Sequence, residues 1–217
     1  MRSTRVAAAR LTVMSGSQQS IVALDLEGVL VPEIWIAVAD RTGISELRRT
    51  TRDEPDYDAL MRYRLAILAE RGVTMSLIRD VIAQERPLDG AKEFLDELRS
   101  MTQVVIVSDT FEQFAGPLMA QLGRPMIYCH RLVVEDDHIV DYRLRMPDQK
   151  RHVVRAFHGL NYRVVAAGDS YNDLSMIDEA GAGILFRAPE RLRGERSDLP
   201  HVETHAELLT KILAVLG

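Results

Sequence analysis

A single cysteine, Cys129, in 217 residues excludes an internal disulfide and any zinc cage built on cysteines. Such a chain suits a reducing compartment, so a cytoplasmic protein is expected. Cys129 itself reads as a small buried hydrophobe. No apolar run reaches the roughly 18 residues that a membrane-spanning helix needs, and no membrane partner is expected. Neither sign of charge dominates: 27 Lys and Arg stand against 32 Asp and Glu, a net charge of −5. The basic excess of a general nucleic-acid binder is missing, and no nucleic-acid partner is expected. Internal repeats and low-complexity segments are absent as well. What remains is a composition, 47% hydrophobic and 27% charged, that fits a globular protein. The length suits one domain with an insertion and is enough to bury a core without staples. Nothing in it specifies an oligomeric state.

The first stretch carries Arg2, Arg5 and Arg10, no acid, and the run Ala7-Ala8-Ala9. Its apolar part is too short for a secretory signal, although a transit peptide has a similar composition. Residues 1–19 are therefore read as a disordered N-terminal extension, or as an upstream start with Met14 the true first residue, and are left out of the fold.

Beyond it, short apolar runs alternate with helical patterns. Ile21–Leu24 is nearly continuous in hydrophobicity, as a strand covered on both faces should be. Gln103–Val107, Tyr162–Ala167, Gly183–Phe186 and Met126–Cys129 read as further strands. Helices are expected over Gly90–Ser100, Thr110–Leu122, Gln149–His158 and Ala206–Leu216. This alternation predicts an α/β fold, a parallel sheet flanked by helices. Two segments break it. Pro32 to about Gln84 is mostly helical and falls between the first and second strands, so 32–85 reads as an inserted helical cap on a core of 20–31 and 86–217. Arg131–Arg145, turning around Asp136-Asp137-His138, reads as a β-hairpin.

In open parallel sheets, ligands bind beyond the carboxyl ends of the strands. There this sequence places Asp25-Leu26-Glu27-Gly28, Ser108-Asp109-Thr110 and Gly168-Asp169-Ser170-Tyr171-Asn172-Asp173. Asp25 and Glu27, two apart in extended chain, face one side. Two carboxylates whose environments differ can divide the roles of ionised nucleophile and proton carrier. Carboxylates converging from two strands suit a hard divalent cation such as Mg2+. A hydroxyl and free amides before a helix suit an anion, and Lys150 adds a point positive charge.

These four segments, Asp25–Val29, Val107–Thr110, Lys150 and Gly168–Asp173, resemble in order the four motifs of the haloacid dehalogenase (HAD) superfamily. The resemblance runs over about residues 20–217 and puts the helical insert where that superfamily carries a type-one cap. More narrowly, Asp25–Trp35, Thr50–Asp58 and Val104–Phe111 look like its phosphoserine phosphatase branch. Within that branch they are similar to the bifunctional enzymes that also transfer phosphate from phosphoserine to homoserine.

The resemblance implies a HAD-like Rossmannoid fold, Mg2+ as cofactor, a small phosphorylated amino acid as substrate, and a place in serine and threonine biosynthesis. It implies Asp25 as the nucleophile that becomes an aspartyl phosphate, and Glu27 as the acid and base. Gly28, Ser108, Asp109, Lys150 and Asn172 would surround the phosphate. Asp25, the Glu27 carbonyl, Asp169 and Asp173 would serve the metal. In the cap, Glu33 would meet the substrate amine and Arg64 its carboxylate, for which a guanidinium fork is suited.

Two positions depart from the family pattern. Glu27 stands where an Asp is usual, which lengthens the reach of the proton carrier by one methylene. Asp109 stands where related phosphatases tend to carry Gly, which adds a negative charge beside a phosphate dianion. A phosphatase for another small phosphomonoester is the alternative reading. A signalling receiver domain fits less well, because its acidic pair and phosphoacceptor lie on strands in the opposite order. Taken without the family, Arg64 would be a solvated residue on a charged helix face.

Overall fold

The computed structural model describes residues 18–51, 53–54 and 56–216. Residues 1–17 of the expected extension lie outside the described residues. Gln18 and Gln19 lie within them, and the Gln19 carbonyl accepts from the Arg163 amide at 2.8 Å. Among the described residues seven strands form one sheet: β1 (Ser20–Leu24), β2 (Gln103–Phe111), β3 (Met126–Glu135), β4 (His138–Arg143), β5 (Arg163–Gly168), β6 (Ala182–Phe186) and β7 (His201–Val202). Their order is β4-β3-β2-β1-β5-β6-β7, and only the β3–β4 pair is antiparallel.

β1 is central because both of its faces are apolar. Val22 and Leu24 join the larger buried cluster on one side, and Ile21 and Ala23 join the smaller one on the other. On the first face lie α4 (Ala91–Met101), α5 (Glu112–Gln121) and α9 (His205–Leu216); on the second lie α6 (Gln149–Gly159) and α7 (Leu174–Glu179). Leu24 pairs with Ile106 of β2 and with Ala167 of β5. That register brings Asp25, Ser108 and Asp169 to one sheet edge.

Between β1 and β2 run α1 (Ile34–Thr42), α2 (Tyr57–Arg71) and α3 (Met75–Gln84). Their ends follow local chemistry. The Asp56 side chain caps α2 by accepting from the Asp58 and Ala59 amides, and Thr74 caps α3. Gly72, in the left-handed region at φ 60°, closes α2. Buried residues of these helices belong to the same apolar cluster as Leu24 and the helices on its face. The hairpin grips them from the side. Met75 donates to the Asp137 carbonyl at 2.7 Å, and the Ser76 amide and hydroxyl donate to Asp137 Oδ1 at 3.0 and 2.9 Å. Arg62 donates to Asp141 at 2.9 Å.

Two boundaries differ from the sequence reading. β2 continues through Ser108-Asp109-Thr110 to Phe111, and α5 starts at Glu112. β3 is one ten-residue strand that first runs parallel to β2 and then pairs with β4. In both cases a neighbouring strand supplies partners that local sequence does not reveal. No described helix is long and apolar enough to cross a membrane. Cys129 is buried in β3, and burial pushes its thiol up to about 11.

Phe114 of α5 lies edge-on to Trp35 of α1 and Phe111 of β2, at 5.5 and 5.7 Å. It is fully buried and so ties the inserted helices to the sheet. Phe114→Ala is expected to cost about 3–5 kcal/mol. At roughly 2–4 °C per kcal/mol for a chain of this size, a thermal melt should show Tm lower by about 10 °C.

Candidate active site

Beyond the ends of β1, β2 and β5 lies a small polar cavity of about 70 Å3. That is far below the roughly 300–1,000 Å3 of sites for drug-sized ligands, and it favours a small molecule. Asp25, Glu27, Ser108, Asp109, Asp169 and Asn172 line it from the sheet side, and Glu33 and Arg64 from the inserted helices. Gly28, Lys150 and Asp173 do not line it but lie against residues that do.

Lys150, at the start of α6, is buried with its ammonium among three carboxylates: Asp173 at 2.6 Å, Asp25 at 3.2 Å and Asp109 at 3.6 Å. Burial works against its charge, but these acids outweigh burial and raise its pKa well above the usual lysine value. Asp173 is an organiser. Its Oδ1 takes the Lys150 bond, while Oδ2 accepts from the Asp169 amide, the Ser170 amide and the Ser170 hydroxyl at 2.9–3.0 Å. Gly168 allows this approach, since a Cβ there would sit 2.2 Å from Asp173 Cγ. Gly28 does the same on the other side. It has φ +76°, and a Cβ would stand 2.5 Å from Asp169 Cγ.

Asp25 is held well above the usual carboxylate range, by burial first and then by Asp173, with Asp169 and Asp109 adding and Lys150 opposing. Its Oδ1 makes no full hydrogen bond. Asp25, Asp169 and Asp173 offer oxygens within 4.8 Å of one another. Buried carboxylates thus outnumber the one ammonium, and an all-oxygen donor set with a charge deficit fits a hard divalent cation such as Mg2+. Glu27 is raised too, by burial, while the Ile34 amide, the Thr110 hydroxyl, Arg64 and Lys150 pull it down.

Asp109 behaves differently. Burial would raise it, but Lys150, His130 and Asn172 together hold its carboxyl well below the usual range. Asn172 Nδ2 donates to its Oδ2 at 2.9 Å, and His130 Nε2 lies 3.4 Å from its Oδ1. The His130 ring is buried, and its Nδ1 accepts from the Arg145 amide at 3.2 Å. Gln149 donates to the Ser108 carbonyl at 2.7 Å.

Arg64 is not on a solvated face. It is 5% exposed, with its guanidinium 4.6 Å from the Trp35 ring and Nη2 donating to the Arg49 carbonyl at 2.7 Å. The side chain turns inward, toward Trp35 of α1 and the Arg49 carbonyl. Burial lowers its pKa to about 10 against the pull of Glu27, Tyr57 and Glu33. Among the described residues its Nε has no hydrogen-bond partner. Glu33 precedes α1 at its N-cap position.

Sequence reasoning missed Trp35, Tyr57 and Thr110, which line the cavity, and His130 and Gln149 behind Asp109. Tyr57 donates from its hydroxyl to the Asp109 carbonyl at 2.8 Å, joining α2 to β2. Tyr57 and Thr110 lie inside segments already singled out for their motifs, but an uncharged residue there carries no signal of its own.

A cation that binds only the folded chain stabilises it by about 2.7 kcal/mol at a hundredfold excess over Kd. Added Mg2+ should therefore raise Tm by several degrees in a thermal melt. Asp169→Asn should abolish the rise, and Gly28→Ala should weaken it by displacing Asp169.

Residues 19–181 match the haloacid dehalogenase-like hydrolases. The chain is 56% identical over 194 residues to the phosphoserine phosphatase ThrH of Pseudomonas aeruginosa, covering 89% of this chain and 95% of that protein. It is 57% identical over 189 residues to a phosphoserine phosphatase of Pseudomonas syringae pv. tomato, covering 87% and 80%. Among solved structures, a phospho-aspartyl intermediate analogue of phosphoserine phosphatase superposes with a TM-score of 0.76 at 21% identity, over 90% of this chain and 99% of that one. The chain belongs to the haloacid dehalogenase-like hydrolase family.

Proposed function

We propose that this chain is a cytoplasmic phosphoserine phosphatase that also passes the phosphoryl group to homoserine. Residues 20–31 and 86–217 serve as its catalytic core, and residues 32–85 as the cap that reads the substrate. The observation that carries the reading is the buried Arg64 guanidinium, with its unpartnered Nε, in one small cavity with Asp25 and Glu33. A cationic fork buried without a fixed carboxylate partner among the described residues suits the carboxylate of a small substrate. Glu33 supplies the charge for an ammonium. An amino-acid phosphate carries both groups at one end and a phosphate at the other.

Asp25 attacks phosphorus. One carboxylate oxygen forms a bond to it as the bond to the serine oxygen breaks, and Glu27 gives its proton to that oxygen. Glu27, now a carboxylate, takes a proton from the entering water, whose oxygen bonds phosphorus as the Asp25–phosphorus bond breaks. Ser108, the backbone amides beside it and Asn172 grip the phosphoryl oxygens, and Lys150 holds Asp25 in place. Mg2+, held by Asp25, Asp169 and the Glu27 carbonyl with Asp173 behind them, would offset the charge of the phosphoryl group.

In-line displacement sets the acceptor. The entering oxygen must approach phosphorus opposite Asp25, where the serine oxygen has just left. An amino alcohol acceptor therefore occupies the position that serine vacated and is read by the same Arg64 and Glu33.

The test is phosphate release from O-phospho-L-serine with Mg2+, with and without homoserine, beside Asp25→Asn and Arg64→Met. Asp25→Asn should be inactive. Arg64→Met should lose roughly 10- to 100-fold in kcat/KM for phosphoserine, the worth of a hydrogen bond to a charged group. It should lose a similar factor in phosphohomoserine formation, while turnover of acetyl phosphate, which has no amino-acid end, stays near wild type. Equal loss on acetyl phosphate would overturn the assignment of Arg64. Inertness of the wild type toward phosphoserine, with acetyl phosphate turned over, would leave the catalytic core and point to another small phosphomonoester.

A further inference from the structure

The geometry points to Tyr57 as the residue that sets how the phosphoryl group on Asp25 divides between water and an amino alcohol, which rests on the proposed reading that Asp25 carries that group. The small polar cavity borders a larger one of about 480 Å3, lined in part by the exposed side chains of Leu144, Met146 and Tyr171. Among the described residues four line both cavities and so stand between them: Thr51 and Tyr57 from the insert, Asp109 and Asn172 from the sheet side. Asn172 Nδ2 donates to Asp109 Oδ2 at 2.9 Å, which ties the sheet side of this wall together. From the insert, the Tyr57 hydroxyl donates across to the Asp109 carbonyl at 2.8 Å. That bond ends one residue past Ser108.

The Tyr57 bond is the part of the wall that can part. It joins a neutral hydroxyl to a neutral carbonyl, and losing such a bond shifts an equilibrium by roughly 2- to 10-fold. The bonds that tie the insert to the hairpin, Arg62 with Asp141 and Ser76 with Asp137, lie outside both cavity linings. They hold the insert without sealing the site. The Tyr57 ring stands edge-on to His130 and Tyr142, each at 5.9 Å, so removing the hydroxyl leaves the ring its packing.

An amino alcohol and water use this wall differently. The alcohol must be held by Arg64 and Glu33 while its oxygen bonds phosphorus, the Asp25–phosphorus bond breaks and its proton passes to Glu27. That hold needs the insert seated on the sheet, with the wall shut. Water needs no such hold and enters when the wall parts. Closing a site against water is a general way to spare a reactive intermediate from hydrolysis. With the Tyr57 bond made, the aspartyl phosphate is kept for an alcohol; with it broken, water reaches it. Tyr57 is therefore a positioning residue, acting through the seat of the insert on β2.

The test compares wild type with Tyr57→Phe, which removes only the hydroxyl. Labelled L-serine is added to the reaction on O-phospho-L-serine with Mg2+. Label appearing in phosphoserine counts attack by an alcohol, and phosphate released counts attack by water. Serine leaves in the first step, so by reversal of that step it is itself an acceptor, and homoserine is not needed. The second readout is acrylamide quenching of Trp35, the one tryptophan of the chain, which lines the small cavity and is 5% exposed.

Tyr57→Phe should lower the ratio of labelled phosphoserine to phosphate by roughly 2- to 10-fold, the worth of the bond. Quenching of Trp35 should rise in step with the open fraction. An unchanged or higher ratio would overturn the inference even if Tm fell, since a hydroxyl that only braces the fold would change stability and leave the ratio alone. A lower ratio with unchanged quenching would overturn it as well, because the wall would not have opened. If wild type exchanges no serine, homoserine takes its place in the same ratio; a wild type that passes the group to neither has no division to set, which overturns the inference and leaves the phosphatase standing. If wild type does not turn over phosphoserine at all, the substrate reading fails by itself, and the quenching comparison decides whether the Tyr57 bond shuts the cavity.

Discussion

The Lys150 ammonium, enclosed by Asp173, Asp25 and Asp109, is the interaction on which the site depends. Desolvating a charge is costly, and one ammonium repays it here by serving three carboxylates on three segments of chain. Without it, Asp25 and Asp173 would repel at short range in a buried setting, and the ends of β1 and β5 could not sit level with both acids ionised. The arrangement still leaves more negative than positive charge. That residual imbalance makes the site receptive to a divalent cation, and then to a phosphate that shares its charge.

The sheet converts this local balance into a reaction geometry. β1 lies between β2 and β5, so the three acidic or hydroxyl-bearing strand ends are neighbours by register. Gly28 and Gly168 then let carboxylates approach the backbone more closely than any side chain would permit. The inserted helices add Glu33 and Arg64 to the cavity from outside. They are fixed to the sheet by the shared apolar cluster and to the hairpin by Asp137 and Asp141. Glu33 and Arg64 are therefore as firmly placed as the carboxylates at the strand ends.

Much of this was legible in the sequence because strand ends carry their chemistry in consecutive residues. Asp25-Leu26-Glu27-Gly28 and Gly168–Asp173 announce both strand and site. Arg64 was different. Its own surroundings in sequence, with Arg62, Tyr63 and Glu70 nearby, read as a solvated face, and only the resemblance drew it into the site. Its contacts with Trp35 and the Arg49 carbonyl, distant in sequence, draw it inward. The extension of β2 to Phe111 had the same cause, since a strand lasts as long as its neighbour pairs with it. The short α7, α8 (Glu190–Glu195) and β7 carry too little local pattern to be seen without the sheet that receives them. His130 and Gln149 reach Asp109 from distant positions and bear no motif.

Asp109 shows how the second departure from the family pattern is absorbed. Two unit negative charges about 4 Å apart repel by on the order of 4 kcal/mol at an effective dielectric constant of 20, which would be a heavy burden beside a phosphate. The Asp109 carboxylate is instead engaged by Lys150, Asn172, His130 and Gln149. Its charge is spent on fixing groups that line the cavity or stand behind it. Asn172 is held at the cavity by the Asp109 carboxylate, and Gln149 steadies the Ser108 carbonyl while it reaches the same acid. A glycine would leave Lys150 to two acids instead of three and leave Asn172 without this acceptor. The substitution therefore trades backbone freedom for a carboxylate that cross-links β2, α6 and the turn after β5, and the Tyr57 hydroxyl on the carbonyl of the same residue extends that link to α2.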